Sequence, residues 1–243
     1  MVKSDEEQRI ENEAIAYAKQ HRAEIAKKLT ALDLHPPEAN PVSVFMAGSP
    51  GAGKTETSQA LLSAFEANDG FKILRIDPDE LRHEFPAYTG GNAWLFQKAV
   101  ARVVDRILDE AFKKEQSFLL DGTLSSFKVA VKNIQRALGK HRLVQILYVY
   151  QDPAQAWVFV QAREAMEGRR ILPETFIEQY FSSRQVVNHL KQIYGKKIRV
   201  DLLFKNIDGS TRVYKDNVDN VDNHIPEKYD VSSLERLLGI SKC

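Results

Sequence analysis

Cysteine is almost absent from this 243-residue chain. Its single cysteine, Cys243, cannot form an intramolecular disulfide bond, so nothing in the sequence indicates an oxidising compartment. No stretch approaches the roughly 18 apolar residues of a membrane span. The first residues are acidic where a secretory signal would be basic and then apolar. We therefore expect a cytoplasmic protein with no membrane partner.

An excess of charge of one sign is also lacking. The chain has 34 Lys and Arg residues against 33 Asp and Glu residues, a formal net charge of +1. Attachment to nucleic acid or anionic lipid by bulk charge is therefore not expected, and nucleic acid is not an expected partner. The composition, with 43% hydrophobic and 28% charged residues, is typical of a globular domain.

The N-terminal region differs in pattern from the rest of the chain. Apolar residues recur at helical spacing from Ser4 to about Leu34, which predicts an amphipathic helix. Three prolines between His35 and Pro41 predict a stiff linker after it. We therefore expect an N-terminal helix and linker over residues 1–40, followed by one larger domain over residues 41–243.

Short apolar runs alternate with longer helical segments after the linker. This alternation predicts an α/β fold, with a mostly parallel sheet covered by helices on both faces and ligands bound at the carboxyl ends of the strands. The expected strands are Val42–Ala47, Lys72–Ile76, Ser117–Leu120, Leu143–Val149 and Ile198–Phe204, with a late hairpin strand at Arg212–Tyr214. The expected helices are Glu56–Glu66, Ala93–Lys114, Phe127–Leu138, Ala154–Glu167, Glu174–Ile193 and a short Val231–Leu238.

A complete phosphate-binding motif follows the first predicted strand. The pattern G-x-x-x-x-G-K-[ST] is matched by Gly48, Ser49, Pro50, Gly51, Ala52, Gly53, Lys54 and Thr55, and Glu56 continues into the helix. Glycines let backbone N–H groups close around phosphate oxygens, Lys54 is expected to reach the β- and γ-phosphates, and the Thr55 hydroxyl can bind Mg²⁺. The sequence therefore predicts a P-loop NTPase-like domain that uses ATP and Mg²⁺.

Carboxylates follow the second predicted strand. Asp77 and Asp79 are expected beside the phosphate loop, at the carboxyl edge of the sheet. A small-molecule kinase needs a carboxylate there to orient an acceptor hydroxyl and take its proton. Asp79 is the expected base and Asp77 the second candidate, and both are candidate substrate-binding residues. The alternative is that one of them caps a helix that begins at Glu80.

Asp121 follows the third predicted strand. An apolar strand that ends on an acid resembles a Walker B element, whose carboxylate supports Mg²⁺ directly or through water. Asp121 could instead contact the substrate, or simply occupy a turn.

Arginines surround Gly168 after the fourth predicted strand. Arg163, Arg169 and Arg170 could fold over the phosphates about this glycine hinge and neutralise the transferring phosphoryl group. A solvated surface cluster is the alternative.

In their order along the chain, these motifs resemble the zeta toxins, the toxin half of bacterial toxin–antitoxin pairs. The resemblance covers about residues 41–204 and is carried by Gly48–Thr55, Ile76–Asp79, Asp121–Thr123, Arg163 and Arg170–Pro173. It implies an ATP-dependent kinase that phosphorylates a hydroxyl of UDP-N-acetylglucosamine and so blocks the synthesis of cell-wall precursors.

The resemblance also implies roles for individual residues. Lys54 and Thr55 would bind ATP and Mg²⁺, and Asp79 would be the base. Asp121 and Thr123 would hold the sugar, and Arg163 and Arg170 would contact the phosphates. The chain departs from the family in having Asp121 where a Glu is frequent, and Leu124-Ser125 where the family has Gly-Arg.

A partner is implied as well, because the antitoxins of this family block the nucleotide site with a helix. The N-terminal helix could lie near that site and inhibit in cis, form part of an antitoxin-binding face, or simply pack on the kinase core.

Two other functions remain open at this point. Kinases that act on an antibiotic, a nucleotide cofactor or a polynucleotide 5′ end share the P-loop and the acidic second strand, so the residues alone do not separate them from a UDP-sugar kinase. The other is a nucleotide-regulated switch or binding protein with no small-molecule acceptor. A GTPase of this class should show an Asn-Lys-x-Asp motif after a late strand, and the absence of this motif from the sequence argues against the class.

Overall fold

The computed structural model describes residues 3–69, 72–168, 170–226 and 229–240. Arg169 and Cys243, which figure in the sequence analysis, lie outside the described residues. The strands are β1 (Val42–Ala47), β2 (Leu74–Ile76), β3 (Phe118–Leu120), β4 (Leu143–Tyr150), β5 (Arg199–Lys205) and β6 (Thr211–Lys215). The helices are α1 (Asp5–Leu29), α2 (Lys54–Asp69), α3 (Gln97–Lys113), α4 (Phe127–Leu138), α5 (Pro153–Glu167), α6 (Pro173–Tyr194) and α7 (Val231–Leu237).

The strands form one sheet in the order β2-β3-β1-β4-β5-β6. All neighbouring pairs are parallel except β5 and β6, which run antiparallel through a turn that contains Asp208 and Gly209. The predicted mostly parallel sheet and its late hairpin are therefore confirmed. β3 lies between β1 and β2, and the three strands are parallel. Their carboxyl ends therefore meet at one edge of the sheet, beside the P-loop.

Buried apolar side chains form a cluster on each face of the sheet. Successive residues of β1 point to opposite faces, so Phe45 and Ala47 belong to the larger cluster and Val44 and Met46 to the smaller one. Helix α2 packs against the smaller cluster, whereas α3, α4 and α6 contribute buried residues to the larger one. Helices therefore cover both faces, as the alternation of elements predicts.

Helix α1 packs on α3 and shares the larger cluster. Its buried apolar residues are Ala14, Ala18, Ile25 and Ala26. Its buried Glu11 carboxylate lies 2.7 Å from the Lys3 ammonium group and 3.3 Å from that of Lys98 on α3. The α1 helix is therefore part of the core of the described structure, as the simplest of its three sequence interpretations predicts.

Two helix boundaries differ most from the sequence expectation. Helix α1 ends at Leu29 and not near Leu34. Thr30 accounts for this, because its hydroxyl donates to the Ala26 carbonyl (2.7 Å) and its own carbonyl accepts from Lys114 Nζ (2.7 Å). The helix expected from Ala93 begins as a 3₁₀ turn, Ala93–Phe96, and becomes α3 only at Gln97. In the described part of the chain, no helix is both long and apolar enough to cross a bilayer.

Candidate active site

The P-loop joins the carboxyl end of β1 to α2 with almost no free space behind it. Gly48 and Gly51 have φ values of 130° and 71°, which favour glycine. A Cβ atom at Gly48 would lie 2.2 Å from the carbonyl oxygen of Val149, and one at Gly51 would lie 2.1 Å from that of Ala156. The two glycines therefore let the loop sit directly on the end of β4 and on α5.

Lys54 folds back over the loop. Its Nζ donates to the carbonyl oxygens of Gly48 (3.1 Å) and Ser49 (2.6 Å). The residue keeps part of its surface in solvent, but desolvation of the ammonium group lowers its pKa to about 8. The negative charges of Asp121 and Asp79 raise the pKa of Lys54, and the positive charge of Arg163 lowers it further. The P-loop lysine, two carboxylates and one arginine named in the sequence analysis therefore lie close together.

Asp77 and Asp79 differ in environment although they are two residues apart. Asp77 is buried, and its Oδ1 accepts from the backbone N–H groups of Asp79 (2.8 Å) and Glu80 (3.4 Å), at the start of the 3₁₀ turn Glu80–Glu84. Asp79 makes no cap hydrogen bond; its carboxylate is 44% exposed and pairs with Arg82. The capping alternative thus applies to Asp77, and Asp79 is the more accessible acid.

Arg75, which the sequence analysis did not single out, joins the acids of this edge. Its guanidinium donates from Nη2 to Asp77 (2.5 Å) and Asp121 (2.8 Å), from Nη1 to Glu80 (2.6 Å) and from Nε to the Ser58 hydroxyl (3.1 Å). We call these five residues the Arg75 network. The available signal was a charged residue inside a short apolar strand, two positions before Asp77 and hence on the same face.

Acids outnumber cations in the Arg75 network, which holds one guanidinium against three carboxylates. Burial opposes the charge of the guanidinium, but its hydrogen bonds to Asp121 and Glu80 and the charge of Asp77 raise the pKa of Arg75 above its ordinary value. Burial and the charges of Asp121 and Asp79 raise the pKa of Asp77, against the opposing effect of Arg75. The guanidinium therefore stabilises two buried carboxylates that would otherwise repel each other.

Asp121 and Thr123 follow β3 at the same edge. Asp121 is buried, and its Oδ2 accepts from the Ser58 hydroxyl (2.8 Å) as well as from Arg75. The carbonyl oxygen of Thr123 accepts from the N–H group of Gly48 (3.3 Å), and the Thr123 and Ser125 hydroxyl groups lie 3.0 Å apart. Asp121 is therefore fixed between α2 and β2, and Thr123 borders the first glycine of the P-loop.

The two described arginines of the Gly168 region differ in their surroundings. Arg163 on α5 is near enough to affect Lys54, and its Nε lies 3.8 Å from a Glu167 oxygen. Arg170 is 60% exposed, with its Nε 3.8 Å from a Glu164 oxygen. Gly168 ends α5 with a φ of 70°. The structure therefore brings Arg163 to the P-loop and leaves Arg170 at the outer end of α5.

A short loop between the 3₁₀ turns borders the same space. The Asn92 side chain accepts from the N–H group of Thr89 (3.0 Å) and donates to the carbonyl oxygen of Ala87 (2.8 Å). A Cβ atom at Gly90 would lie 3.0 Å from the carbonyl oxygen of Glu167, so this loop packs against the end of α5. The loop is therefore internally fixed and lies next to the Gly168 hinge.

The residues present fit a P-loop magnesium site. No cluster of three or more His, Cys, Asp or Glu side chains suited to a metal occurs among the described residues. A nucleotide-bound Mg²⁺ needs few protein ligands, because phosphates and water supply the others. The Thr55 hydroxyl makes no hydrogen bond within the described structure, and the Asp121 contacts above use only Oδ2. These two oxygen groups are available at the correct end of the loop.

Comparison with known proteins gives one family and several structures. The zeta toxin family model matches residues 25–219. A structure from the PezAT chromosomal toxin–antitoxin system of Streptococcus pneumoniae has a TM-score of 0.63 and 16% identity, over 100% of this chain and 91% of that chain. No curated protein matches the chain in sequence.

Two structures of the AvrRxo1-ORF1:AvrRxo1-ORF2 complex are also similar. The one with sulphate ions has a TM-score of 0.57 and 16% identity, over 90% of this chain and 72% of that chain. The one with ATP has a TM-score of 0.58 and 14% identity, over 91% of this chain and 72% of that chain. At these identities, the structural similarities support the fold alone.

Proposed function

The chain belongs to the zeta toxin family of P-loop kinases, and from this premise we propose that it transfers the γ-phosphoryl group of ATP to a hydroxyl of UDP-N-acetylglucosamine or a related UDP-sugar. The observation that carries the proposal is the proximity of Lys54 to Asp79, Asp121 and Arg163. A cation for the phosphates would then have an acid for the acceptor nearby, and in-line transfer needs both groups.

The P-loop and Lys54 would bind the nucleotide. Gly48 and Ser49 carbonyl oxygens now accept from Lys54, and β- and γ-phosphate oxygens would take their place as charge-assisted acceptors. The backbone N–H groups of Gly48–Thr55 and the start of α2 would surround the same phosphates, with Glu56 bordering them. Mg²⁺, held by Thr55 and by Asp121 directly or through water, would neutralise part of the phosphate charge.

Asp79 is the proposed base. Its carboxylate is partly exposed near Lys54, whereas Asp77 and Asp121 are buried in the Arg75 network. The acceptor hydroxyl would lose its proton to Asp79 as its oxygen bonds to the γ-phosphorus and the bond to ADP breaks. Asp77, Asp121 and Thr123 are proposed to shape the acceptor side, with Asp77 acting through the turn that it caps.

The arginines are proposed to stabilise the transferring group. The charge of Arg163 already acts on Lys54, which supports this role for Arg163. Arg170 would have to leave Glu164 and move inward about Gly168, whose left-handed backbone ends α5. Closure of this segment would also exclude water from the phosphates.

A kinase with another acceptor, such as an antibiotic or a nucleotide cofactor, is the second candidate. The supporting observation is Asp121, which replaces a frequent Glu of the family and is tied to Arg75 and Ser58. A shorter carboxylate, with one oxygen already bound by Arg75 and Ser58, would change the contacts that recognise a sugar.

Partner and organisation are proposed from the same family. An antitoxin protein is the proposed partner, since the Streptococcus pneumoniae structure comes from a toxin–antitoxin system. Residues 41–243 are proposed to carry the chemistry, in the cytoplasm where UDP-sugars are made. The packing of α1 on α3 favours a structural role for residues 1–40 over inhibition in cis.

The test is a phosphorylation assay with ATP, Mg²⁺ and a panel of UDP-sugars, nucleotides and aminoglycosides, read by mass spectrometry for a product that is one phosphate heavier. We expect Lys54→Ala to abolish turnover and Asp79→Asn to lower kcat by about 10²–10⁴-fold. Glu6→Gln, which removes an exposed acid on α1, is the control for the loss of one charge and should retain full activity. Full turnover by Asp79→Asn would remove the base assignment, and a product from a different acceptor class alone would replace the UDP-sugar.

A further inference from the structure

A lysine outside the P-loop motif lies on the loop itself. Lys205 is the last residue of β5. A Cβ atom at Gly53 would lie 3.1 Å from Cε of Lys205 and 3.8 Å from its Cγ, so the aliphatic part of the lysine covers Gly53. Leu203 belongs to the same apolar cluster as Ala52 of the P-loop, so this end of β5 lies beside the loop, and the pairing of β5 with β6 shifts register between Phe204 and Lys205. The position of Lys205 is therefore set by β5.

The ammonium group of Lys205 has no direct partner within the described structure, in which it makes neither a hydrogen bond nor an ion pair. Glu56 is the nearby acid, and its Oε2 would lie 3.8 Å from the same Cβ position at Gly53. Burial lowers the pKa of Lys205, and the charge of Glu56 acts against this effect. A partly buried cation without a direct partner is destabilising unless an anion binds it.

We propose that Lys205 is a second phosphate-binding lysine, which binds the part of the nucleotide that is not transferred, at the α-phosphate. The inference rests on the proposed function, since it takes ATP as the ligand. Lys54 lies over Gly48 and Ser49 at the beginning of the loop, where it would serve the β- and γ-phosphates. Lys205 covers Gly53 at the other end of the loop. Its ammonium group would therefore bind the α-phosphate, which Lys54 does not serve.

The two lysines should therefore differ in what they do. Lys54 contacts the group that is transferred and should affect both binding and turnover. Lys205 would interact equally with ATP and ADP, before and after transfer. Such uniform binding lowers the KM for ATP without raising kcat.

The experiment measures ATP and ADP affinity by calorimetry at constant ionic strength, together with kcat. Lys205→Met removes the charge but keeps an unbranched chain over Gly53, and Lys205→Arg keeps the charge. Lys215→Met, on the exposed strand β6, is the control for net charge. We expect Lys205→Met to bind both nucleotides about tenfold more weakly, which is near the lower limit for a hydrogen bond to a charged group. Lys205→Arg and Lys215→Met should bind them nearly as the wild type does.

Several outcomes would overturn the inference. Unchanged ADP affinity in Lys205→Met would do so, and so would a loss confined to ATP, because it would place the charge at the γ-phosphate. An equal loss in Lys205→Arg would assign the effect to packing on Gly53. Lys205→Gln gives a second neutral variant if Lys205→Met does not fold. A wild-type protein that binds neither nucleotide would refute the proposed function as well, whereas normal wild-type binding with an unaffected Lys205→Met would refute the inference alone.

Discussion

Replacing Arg75 tests whether one guanidinium holds the carboxyl edge of the sheet together. Arg75→Met keeps a long unbranched side chain and removes the charge. The Asp77 and Asp121 carboxylates, whose side chains are only 7% and 3% exposed, then lose their shared cation. Because both are buried, solvent replaces little of the lost interaction.

The expected cost follows from this burial. Removing one partner of a buried ion pair costs about 3–5 kcal/mol, and the two carboxylates share one guanidinium, so the cost is counted once. A domain of this size loses about 2–4 °C in Tm per kcal/mol, so we expect Tm to fall by roughly 6–20 °C near neutral pH. An exposed ion pair serves as the control for the loss in free energy of unfolding. Arg9→Met breaks the pair of Arg9 and Glu6, both largely exposed, and should cost less than about 1 kcal/mol.

The pH dependence gives a second, more specific signature. Arg75 lowers the pKa of Asp77 against burial and the neighbouring acids, so its removal raises that pKa further. A carboxyl group with a raised pKa keeps a proton in the folded state that the unfolded chain has released. Stability therefore falls as pH rises from the ordinary carboxyl value, near about 4, through the raised one. Arg75→Met should be closest to wild type near pH 5 and most destabilised near pH 8.

The assay is thermal and urea unfolding followed by circular dichroism between pH 5 and 8, for wild type, Arg75→Met, Asp121→Asn and the double variant. Removing the Asp121 charge should recover a large part of the loss, which a double-mutant cycle measures as a coupling above about 1 kcal/mol. A stability of Arg75→Met within about 0.5 kcal/mol of wild type, or strictly additive single effects, would refute the reasoning.

Three further predictions concern the P-loop and β5. Gly51→Ala places a Cβ atom 2.1 Å from the carbonyl oxygen of Ala156 at a φ of 71°, so calorimetry should find ATP affinity reduced by at least about tenfold, while Gly91→Ala, which meets nothing within 4 Å, should bind normally. Lys54 has a pKa of about 8, so ATP binding should take up a proton above that pH and weaken as pH rises. Calorimetry in two buffers of different ionisation enthalpy measures this uptake, and Lys54→Arg should abolish it. Burial raises the pKa of the Asp201 carboxylate, but the hydrogen bonds to this group have the larger effect and lower its pKa overall. The carboxylate therefore stabilises the fold above about pH 4, and this stabilisation is lost as the pH falls below that value. Asp201→Asn should cost about 2–4 kcal/mol at pH 7 in urea unfolding, with a smaller difference from wild type near pH 3.

Local patterns were sufficient to predict most of the elements. The run Val42–Ala47, the glycines after it and the helix from Lys54 form one contiguous signal, and the structure places strand, loop and helix there. The end of α1 was not predictable in this way. Thr30 ends the helix partly because Lys114 and Gln116 donate to its carbonyl oxygen, and both are more than 80 residues away along the chain. Such contacts exist only once the sheet has formed.

The candidate site was predictable as a set of residues and not as a network. The sequence analysis prefers Asp79 to Asp77 as the base, but both residues follow the same strand, so their spacing gives no physical ground for the choice. Burial separates them, and burial here depends on β2 pairing with β3, which aligns Ile76 with Leu120 and so brings Arg75 to Asp121. β3 follows β2 along the chain only after α3, and no local pattern in the sequence specifies this pairing.

The Arg75 network also bears on which acid can act as a base. A base must reach the acceptor proton and must be able to change its charge during the reaction. Asp77 is committed to two backbone N–H groups and a guanidinium, and Asp121 to the same guanidinium and Ser58, so protonating either would disrupt contacts that hold β2, β3 and α2 together. Asp79 enters these contacts only through its backbone N–H group, and its carboxylate pairs with Arg82 at a partly exposed position. The arrangement that makes two of the carboxylates structural therefore leaves the third chemically adjustable, beside the lysine that would bind the phosphates.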